Sequence, residues 1–471
     1  MHNDLKTARV SPVFKNGEDC DINVYSDYRP ISVISHIAKI LERLVKDQLL
    51  DFIEDNNIIS HDQSAYLRGH STQTSLHRVM DDWLESINEG EVIGACVFDI
   101  SKCFDSINHK NLFFKLEKYG IRGESLNWFK SYLTDRSQFV LKNGKLSSQK
   151  NVLFGVPQGS ILGPFLFLLY INDIQNFSTN ECLMNMFADD LIVYCSDVCS
   201  QKVQERLQCA VNSICDWYTN NRLKVNPKKS KLIVIGTEHN ISNINKDNFV
   251  VRYGGEKIPF VKEIRYLGLK ITNTLSWDKH ITEICGSINY KIVQLRQLKR
   301  SGASKSLLLT FYKTFILQRI DYGISIWGCT TKENLNRVQR LQNRAIRIIL
   351  GIYDRIIPGI DLVKQLSLEN IEERRDYFLT KLTYESIHGL SPLYLSGRII
   401  MRVDIHGYST RSASNMDVHL PEVNLEIYKH SLLYHGGKLW NNLPLSLKDA
   451  VSVDAFKKLY KRYFRSTPNQ P

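Results

Sequence analysis

Asp189 and Asp190 stand side by side between two apolar runs, Leu183, Met184, Met186 and Phe187 before them and Leu191, Ile192, Val193 and Tyr194 after. Each run has the length and content of a short buried strand. The chain between them is too short for anything but a tight turn. The segment is therefore expected to fold as a hairpin with both acids at its tip, where Asp tolerates turn geometry. Neighbouring carboxylates repel unless a cation lies between them, and oxygen-only ligation suits Mg2+. Two such ions about 3.5–4 Å apart serve in-line displacement at phosphorus. A solvated Asp-Asp turn is the plainer alternative for so short a pattern.

A third acid follows from another strand. Val92, Ile93, Ala95, Cys96, Val97 and Phe98 form an apolar run, and Asp99 falls at its C-terminal end. Functional groups gather at such ends, and a third carboxylate is what a two-metal site needs. The next segment, His109 to Tyr119, sets Leu112, Leu116 and Tyr119 on one helical face, and Gly120 closes it. Asp105 lies too far along a strand to share the metal of Asp99; its expected part is to orient backbone or cap the turn.

The chain has 471 residues, 43% hydrophobic and 23% charged. It can bury a large core and should hold more than one domain. The longest apolar run, Ile161 to Ile171, is too short for a bilayer and contains Pro164, so no membrane partner is expected. No secretory signal opens the sequence. The ten cysteines are scattered in mostly apolar contexts, which suits reduced thiols of an intracellular protein. Their spacing matches no zinc site, and no structural zinc is expected. The net charge of +12 is uneven: between Lys279 and Arg355 fourteen Lys or Arg face four Asp or Glu. Such clustering is the footprint of a phosphate-backbone partner, or else a solvated helical face.

Residues 8–34 alternate about Gly17 as a hairpin would. Ile37, Ile40, Leu41, Leu44 and Val45 recur at helical spacing within 34–53, and Leu76, Val79, Trp83 and Ile87 do so behind a cap at Ser71 or Thr72. Residues 128–133 continue helically, and 139–141 with 151–154 read as a strand pair around Asn143-Gly144. A buried helix over 161–174 precedes the Asp189-Asp190 hairpin. Val203, Leu207, Val211, Ile214 and Trp217 mark a long helix, 232–235 a strand, and 249–260 a pairing across Gly254-Gly255. After Trp277 the pattern is wholly helical, and 466–471 is expected to be a loose tail. Arg337, Arg340, Arg344 and Arg347 recur one residue out of step with Val338, Leu341, Ala345 and Ile348. One stripe packs inward and an arginine stripe lies beside it, as a nucleic-acid contact or a solvated face.

Phe98-Asp99-Ile100-Ser101-Lys102-Cys103-Phe104-Asp105, Gly155-Val156-Pro157-Gln158-Gly159-Ser160 and Phe187-Ala188-Asp189-Asp190 together resemble the polymerase motifs of non-LTR (LINE-type) retrotransposon reverse transcriptases. The flanks agree: Asp27-Tyr28-Arg29-Pro30-Ile31-Ser32, the stretch from Gln63 to Thr72, Asn226-Pro227-Lys228-Lys229-Ser230 and Tyr266-Leu267-Gly268-Leu269. The likeness is close over roughly 5–275 and looser beyond, where Gly437-Lys438-Leu439-Trp440-Asn441-Asn442-Leu443-Pro444 resembles the tail of some such elements.

The resemblance implies an α/β right-hand polymerase with fingers, palm and thumb and an all-helical C-terminal extension. Its expected parts are a fingers region over 1–90, a palm with interleaved fingers elements over 91–275, a helical basic thumb over 276–357 and a helical extension over 358–471. The implied activity is RNA-templated DNA synthesis, with an RNA template, a DNA primer and deoxynucleoside triphosphates as partners. Asp99 and Asp189 would hold two Mg2+ ions, with Mn2+ as a possible substitute, and Asp190 would support them. Lys15 and Arg29 would bind the triphosphate, Arg29 bidentately; Arg68 is a further candidate there or at the template. Phe104 would exclude a 2′-hydroxyl, and Gln158 and Gly159 would meet the templating base and incoming nucleotide. Lys229, in a register shared with Lys228 and Lys231, would protonate pyrophosphate. Tyr266, Leu267 and Gly268 would grip the primer. Elements of this kind usually encode an endonuclease upstream; with Met1 almost at the first fingers strand, that domain is expected to be absent from this chain, which is read as the 3′ part of a longer frame. The expected location is the nucleus and cytoplasm. The rival is a catalytically inactive nucleic-acid-binding remnant, against which the intact acids argue and for which the abrupt N-terminus argues.

Overall fold

The computed structural model describes residues 1–15, 21–101, 103–142, 144–177, 181–245, 247–354, 356–405 and 415–466. Gly17, Lys102, Asn143 and the tail beyond 466 lie outside them. The chain opens with the hairpin β1 (Thr7–Phe14) and β2 (Tyr28–Val33), then α1 (His36–Asp55), α2 (Thr72–Asn88) and β3 (Val92–Phe98). There follow β4 (Arg136–Lys142), α3 (Gly163–Ile171), β5 (Leu183–Phe187), β6 (Asp190–Asp197), α4 (Ser200–Asn220) and β7 (Lys231–Ile235). The hairpin β8 (Glu263–Tyr266) and β9 (Leu269–Thr272) leads into the helices α5 (Asp278–Arg300), α6 (Lys332–Leu350), α7 (Ile371–Ile387) and α8 (Val453–Ser466), with shorter ones between. Among the described residues no helix is long and apolar enough to cross a membrane.

Four strands make the central antiparallel sheet, in the order β7-β3-β6-β5. Both of its faces are covered. Cys96, Phe98, Leu191, Val193, Leu232 and Val234 pack with α3 and α4. Ile93, Ala95, Ile192, Tyr194, Ile233 and Ile235 pack with α2, β8, β9 and α5. That double burial is why these strands read as continuous apolar runs rather than alternating ones. In front of the sheet, β1 pairs antiparallel with β2 and parallel with β4.

The helical C-terminal region is fastened to α2 on the sheet's far side. Arg398 pairs with Asp82 at 2.5 Å and also with Glu85. The Leu432 N–H donates to Asp81 at 2.9 Å, and the Asn424 and Leu425 N–H groups donate to Asn88.

Three local expectations need correcting. The apolar positions that mark α1 are not its packed face: Ile37, Ile40, Leu41 and Leu44 are exposed, while Ala38, Glu42, Leu49, Leu50 and Ile53 face inward. Glu42 is fully buried because it accepts from the Tyr132 hydroxyl and the Ile161 N–H. Second, β4 pairs with Lys150–Val152 through Arg136 to Gln138, while its far end, Leu141 and Lys142, pairs with Lys145–Leu146. Third, Asp105 is not on a strand. It sits in a 3-10 turn, Cys103–Asp105, that curls back toward the sheet.

Candidate active site

The β5–β6 hairpin turns through Ala188 and Asp189, with Phe187 paired to Asp190. The left-handed conformation falls on Ala188, at φ +56°, so the acids themselves stay in ordinary backbone. On the neighbouring ladder Phe98 pairs with Leu191. Continuing that register by one residue sets Asp99 opposite Asp190. The Asp99 backbone is held by the turn at 226–230: its N–H donates to the Ser230 hydroxyl at 3.2 Å and its carbonyl accepts from the Asn226 N–H at 2.9 Å.

The three carboxylates feel one another. Asp190 is an exposed residue as a whole, yet protein crowds its carboxyl; this partial burial, then Asp189, then Asp99, pushes it up to about 6. The Cys103 thiol donates to Asp189 Oδ2 at 3.3 Å and is itself pushed up by burial and by that carboxylate. No Lys or Arg is paired with any of the three acids among the described residues. Crowded oxygen donors without a counter-charge fit a divalent cation. Among the described residues no group of three or more His, Cys, Asp or Glu side chains is arranged to hold a metal ion by itself. Asp99 and Asp189 stand at the wall of an open space, and Asp190 is not part of that wall.

That space is a chamber of about 900 Å³ between the sheet and the β1–β2 hairpin. Asp99, Asp189, Asp105 and Lys229 line it from the sheet side; Lys15, Arg29 and Tyr28 line it from the hairpin; Phe104 and Gln158 complete the wall. Of the three candidate lysines at 228–231, Lys229 is the one on that wall. Phe104 is backed by Phe167, ring centroids 4.7 Å apart. The glycine-rich loop is docked against this turn. Gly155 has φ +81°, and a Cβ there would meet Asp105 Cα at 2.7 Å. Gly159 has φ +106°, and a Cβ there would meet the Ser32 carbonyl at 2.8 Å. Any larger residue would pry the loop off both neighbours.

Several expected site residues are engaged within the protein or lie off the chamber. The Gln158 amide is not directed at open space: it donates to both oxygens of Asp105, at 3.0 and 2.9 Å. Arg68 does not reach the chamber; it pairs with Asp51 and Glu54 on α1 at 3.0 and 2.7 Å. Tyr266 and Leu267 are buried, and the Tyr266 hydroxyl accepts from Asn185 at 2.7 Å behind the β5–β6 hairpin. Only Gly268 of that trio is exposed, at the tip of a two-residue turn. The arginine stripe of α6 divides. Arg337 and Arg347 are half-buried and bonded to Thr282 and to the Asp354 and Ile357 carbonyls. Arg340 and Arg344 are exposed. Sequence reasoning missed Lys142, which lines the chamber and lies 4.9 Å from the Tyr28 ring, and Cys103. Neither carries a local pattern; each arrives by strand pairing or by a turn.

A right-hand α/β polymerase architecture with acids at the ends of adjacent palm strands is the class this geometry defines. Residues 15–271 match the reverse transcriptase (RNA-dependent DNA polymerase) family, and the chain belongs to that family. Its members use divalent metal ions in catalysis. The chain is similar to the probable RNA-directed DNA polymerase from transposon BS of Drosophila melanogaster, 28% identical over 74% of this chain and 38% of that protein. It is likewise 28% identical to the RNA-directed DNA polymerase from mobile element jockey of Drosophila funebris, over 73% of this chain and 38% of the relative. The chain thus spans well under half the length of these relatives. Among solved structures, apo telomerase from Candida tropicalis aligns over 80% of this chain and 66% of its own, at 14% identity and a TM-score of 0.44.

Proposed function

We propose that this chain is an RNA-directed DNA polymerase of a non-LTR retrotransposon, extending a DNA primer 3′-hydroxyl on an RNA template with deoxynucleoside triphosphates. The observation that carries this reading is the chamber in which Asp99, Asp189 and Lys229 face Lys15 and Arg29. In this reading the fingers comprise 1–90, the palm 91–275, the thumb 276–357 and a helical extension 358–471. Asp99 and Asp189 would hold two Mg2+ ions, or Mn2+ in their place, with Asp190 in support. When bound, such ions activate the attacking oxygen and neutralise charge on the triphosphate.

The chain's own residues do the rest. Arg29 and Lys15 on the hairpin draw the triphosphate against the sheet, Arg29 by a two-pronged grip. Lys142 adds a third cation to that wall. The Phe104 ring, stiffened by Phe167, lies under the sugar and rejects a 2′-hydroxyl. Gln158, fixed by Asp105, holds the glycine-rich loop against the nascent base pair. Lys229 hands a proton to the departing pyrophosphate. Arg340 and Arg344 bear on the duplex backbone as it leaves. A retrotransposon product of this kind would work in the cytoplasm and nucleus.

The test is extension of a DNA primer on an RNA template by the purified chain with Mg2+. Native protein should extend and Asp189→Ala should not. Equal extension by both would sink the proposal.

A further inference from the structure

The turn that presents Asp189 does not hold itself. Its first residue, Ala188, is kept at φ +56°, a conformation that disfavours any residue with a Cβ. The support comes from a short segment far away in sequence. Met186 N–H donates to the Asp62 carbonyl at 2.7 Å, and Ser64 N–H donates to the Met186 carbonyl at 2.9 Å. Gln63 thereby forms a parallel bridge to Met186 at the edge of β5. From that fixed point its side chain wraps the turn: Gln63 Oε1 accepts from Ala65 N–H at 2.9 Å and from Ala188 N–H at 3.0 Å.

Gln63 is only 1% exposed, and its Nε2 finds no acceptor among the described residues. A buried donor without a partner is destabilising. A residue chosen for packing alone would not carry that amide. It is tolerated where the carbonyl half has work to do, and here that carbonyl is bonded to the residue next to Asp189.

The segment is braced from two sides. Arg78 donates to the Asp62 carboxylate at 2.7 Å and to the His61 carbonyl at 2.9 Å. The guanidinium of Arg78 lies 5.1 Å from the ring of Tyr394, in the helical C-terminal region. The Tyr394 hydroxyl is 3.0 Å from Ser64 Oγ and donates to Thr74 Oγ1 at 3.2 Å.

We infer that Gln63 is a positioning residue for Asp189: its side-chain carbonyl fixes the left-handed Ala188 peptide and so the direction of the Asp189 carboxylate, while Tyr394 braces the same segment from the C-terminal region. The kinetic consequence rests on the polymerase reading; the structural one does not. The 358–471 region thereby gains a part in the chemistry without touching the chamber.

The test compares the native full-length chain with Gln63→Met, which keeps length but removes the acceptor, and Gln63→Glu, which keeps the acceptor. Amide exchange at Ala188 is the first readout. Removing one hydrogen bond should speed it about tenfold in Gln63→Met and leave it near native in Gln63→Glu. Unchanged exchange in Gln63→Met overturns the inference. The second readout is primer extension beside Asp189→Ala. Gln63→Met should lower kcat by about 10- to 100-fold with KM for nucleotide within about threefold, as misorientation of a reacting group does. Faster exchange with native kcat, while Asp189→Ala is dead, removes the positioning role and leaves the polymerase reading intact. If native protein and Asp189→Ala are equally inert, the polymerase reading fails, and the exchange result alone decides the support of the turn. If Gln63→Met does not fold, Tyr394→Phe decides: it deletes one hydroxyl and should still quicken Ala188 exchange about twofold, and native exchange there overturns the inference.

Discussion

Two acidic clusters flank the same sheet, and they are built to opposite rules. Behind it, on α2, Asp81, Asp82 and Glu85 are answered: Arg398 pairs with Asp82 and Glu85, the Tyr194 hydroxyl donates to Asp82 at 2.6 Å, and the Leu432 N–H donates to Asp81. In front, Asp99, Asp189 and Asp190 meet, among the described residues, a single side-chain donor, the Cys103 thiol, and one another. A cluster with its counter-charges inside the fold is there to join parts of the chain. A cluster without them is destabilising in isolation and is kept for a cation from outside.

The sharpest break between the two is Asp189→Ala. Polymerisation should fall by on the order of 10³-fold or more, as losses of central catalytic groups do. Stability should hold or rise, since one of three repelling charges has gone. A clear drop in the thermal midpoint would make the front cluster structural, like the one behind it.

Asp81 offers the next largest effect. It is buried, and burial above all pushes its carboxyl up to about 7 from 3.8. A carboxyl whose folded value is raised contributes stability that is complete below about 3.8 and is lost as pH climbs through about 7. Asp81→Asn keeps an acceptor for the Leu432 N–H but cannot ionise. Its unfolding free energy should gain on native by a few kcal/mol between pH 4.5 and pH 8. Urea unfolding at the two pH values measures this; parallel curves would show that Asp81 is not held neutral.

Arg398→Met removes the cation from the rear cluster and leaves its carboxylates unpaired. The pair is partly exposed, so the cost should be about 2–3 kcal/mol, less than for a fully buried pair. Unfolding midpoints check it. A loss confined to activity would mean that Arg398 serves the chamber rather than the join.

This contrast was only half legible in the sequence. The front acids were readable because strand, turn and strand leave Asp189-Asp190 one place to go, and because Asp99 closes its own apolar run. Their meeting depends on the register Phe98 to Leu191, which pairs residues 93 positions apart and leaves no local pattern. The rear cluster was invisible for the same reason: Arg398 and α2 are joined only by the fold. Periodicity also misled at α1, where hydrogen bonds from Tyr132 and Ile161 let Glu42 turn inward and left Ile37, Ile40, Leu41 and Leu44 outside. Tyr266 shows the limit of motif reading. Its position fits a primer contact, but its hydroxyl is engaged inside the protein by Asn185.

The same rule, with the sign reversed, separates the arginines of α6. Arg337 and Arg347 are answered by side-chain and carbonyl oxygens of neighbouring segments. Arg340 has no hydrogen bond or ion pair among the described residues, and Arg344 has one long hydrogen bond, 3.4 Å to Asn289. By the logic of the two acidic clusters, the first pair holds the helix in place, and the second is the pair we propose for phosphates. Changing Arg340 and Arg344 together to Ala should weaken duplex binding about tenfold near 0.15 M salt and flatten the slope of log K against log[salt] by about 2, one for each phosphate no longer neutralised. Changing Arg337 and Arg347 should lower the unfolding midpoint and leave that slope alone. The two double variants therefore cross: one moves the slope, the other the midpoint. If all four substitutions flatten the slope alike, the helix presents one continuous basic surface and the partner rule fails for cations. If none does, the exposed pair is a solvated face, and the rule holds only where charges crowd one another as the front carboxylates do.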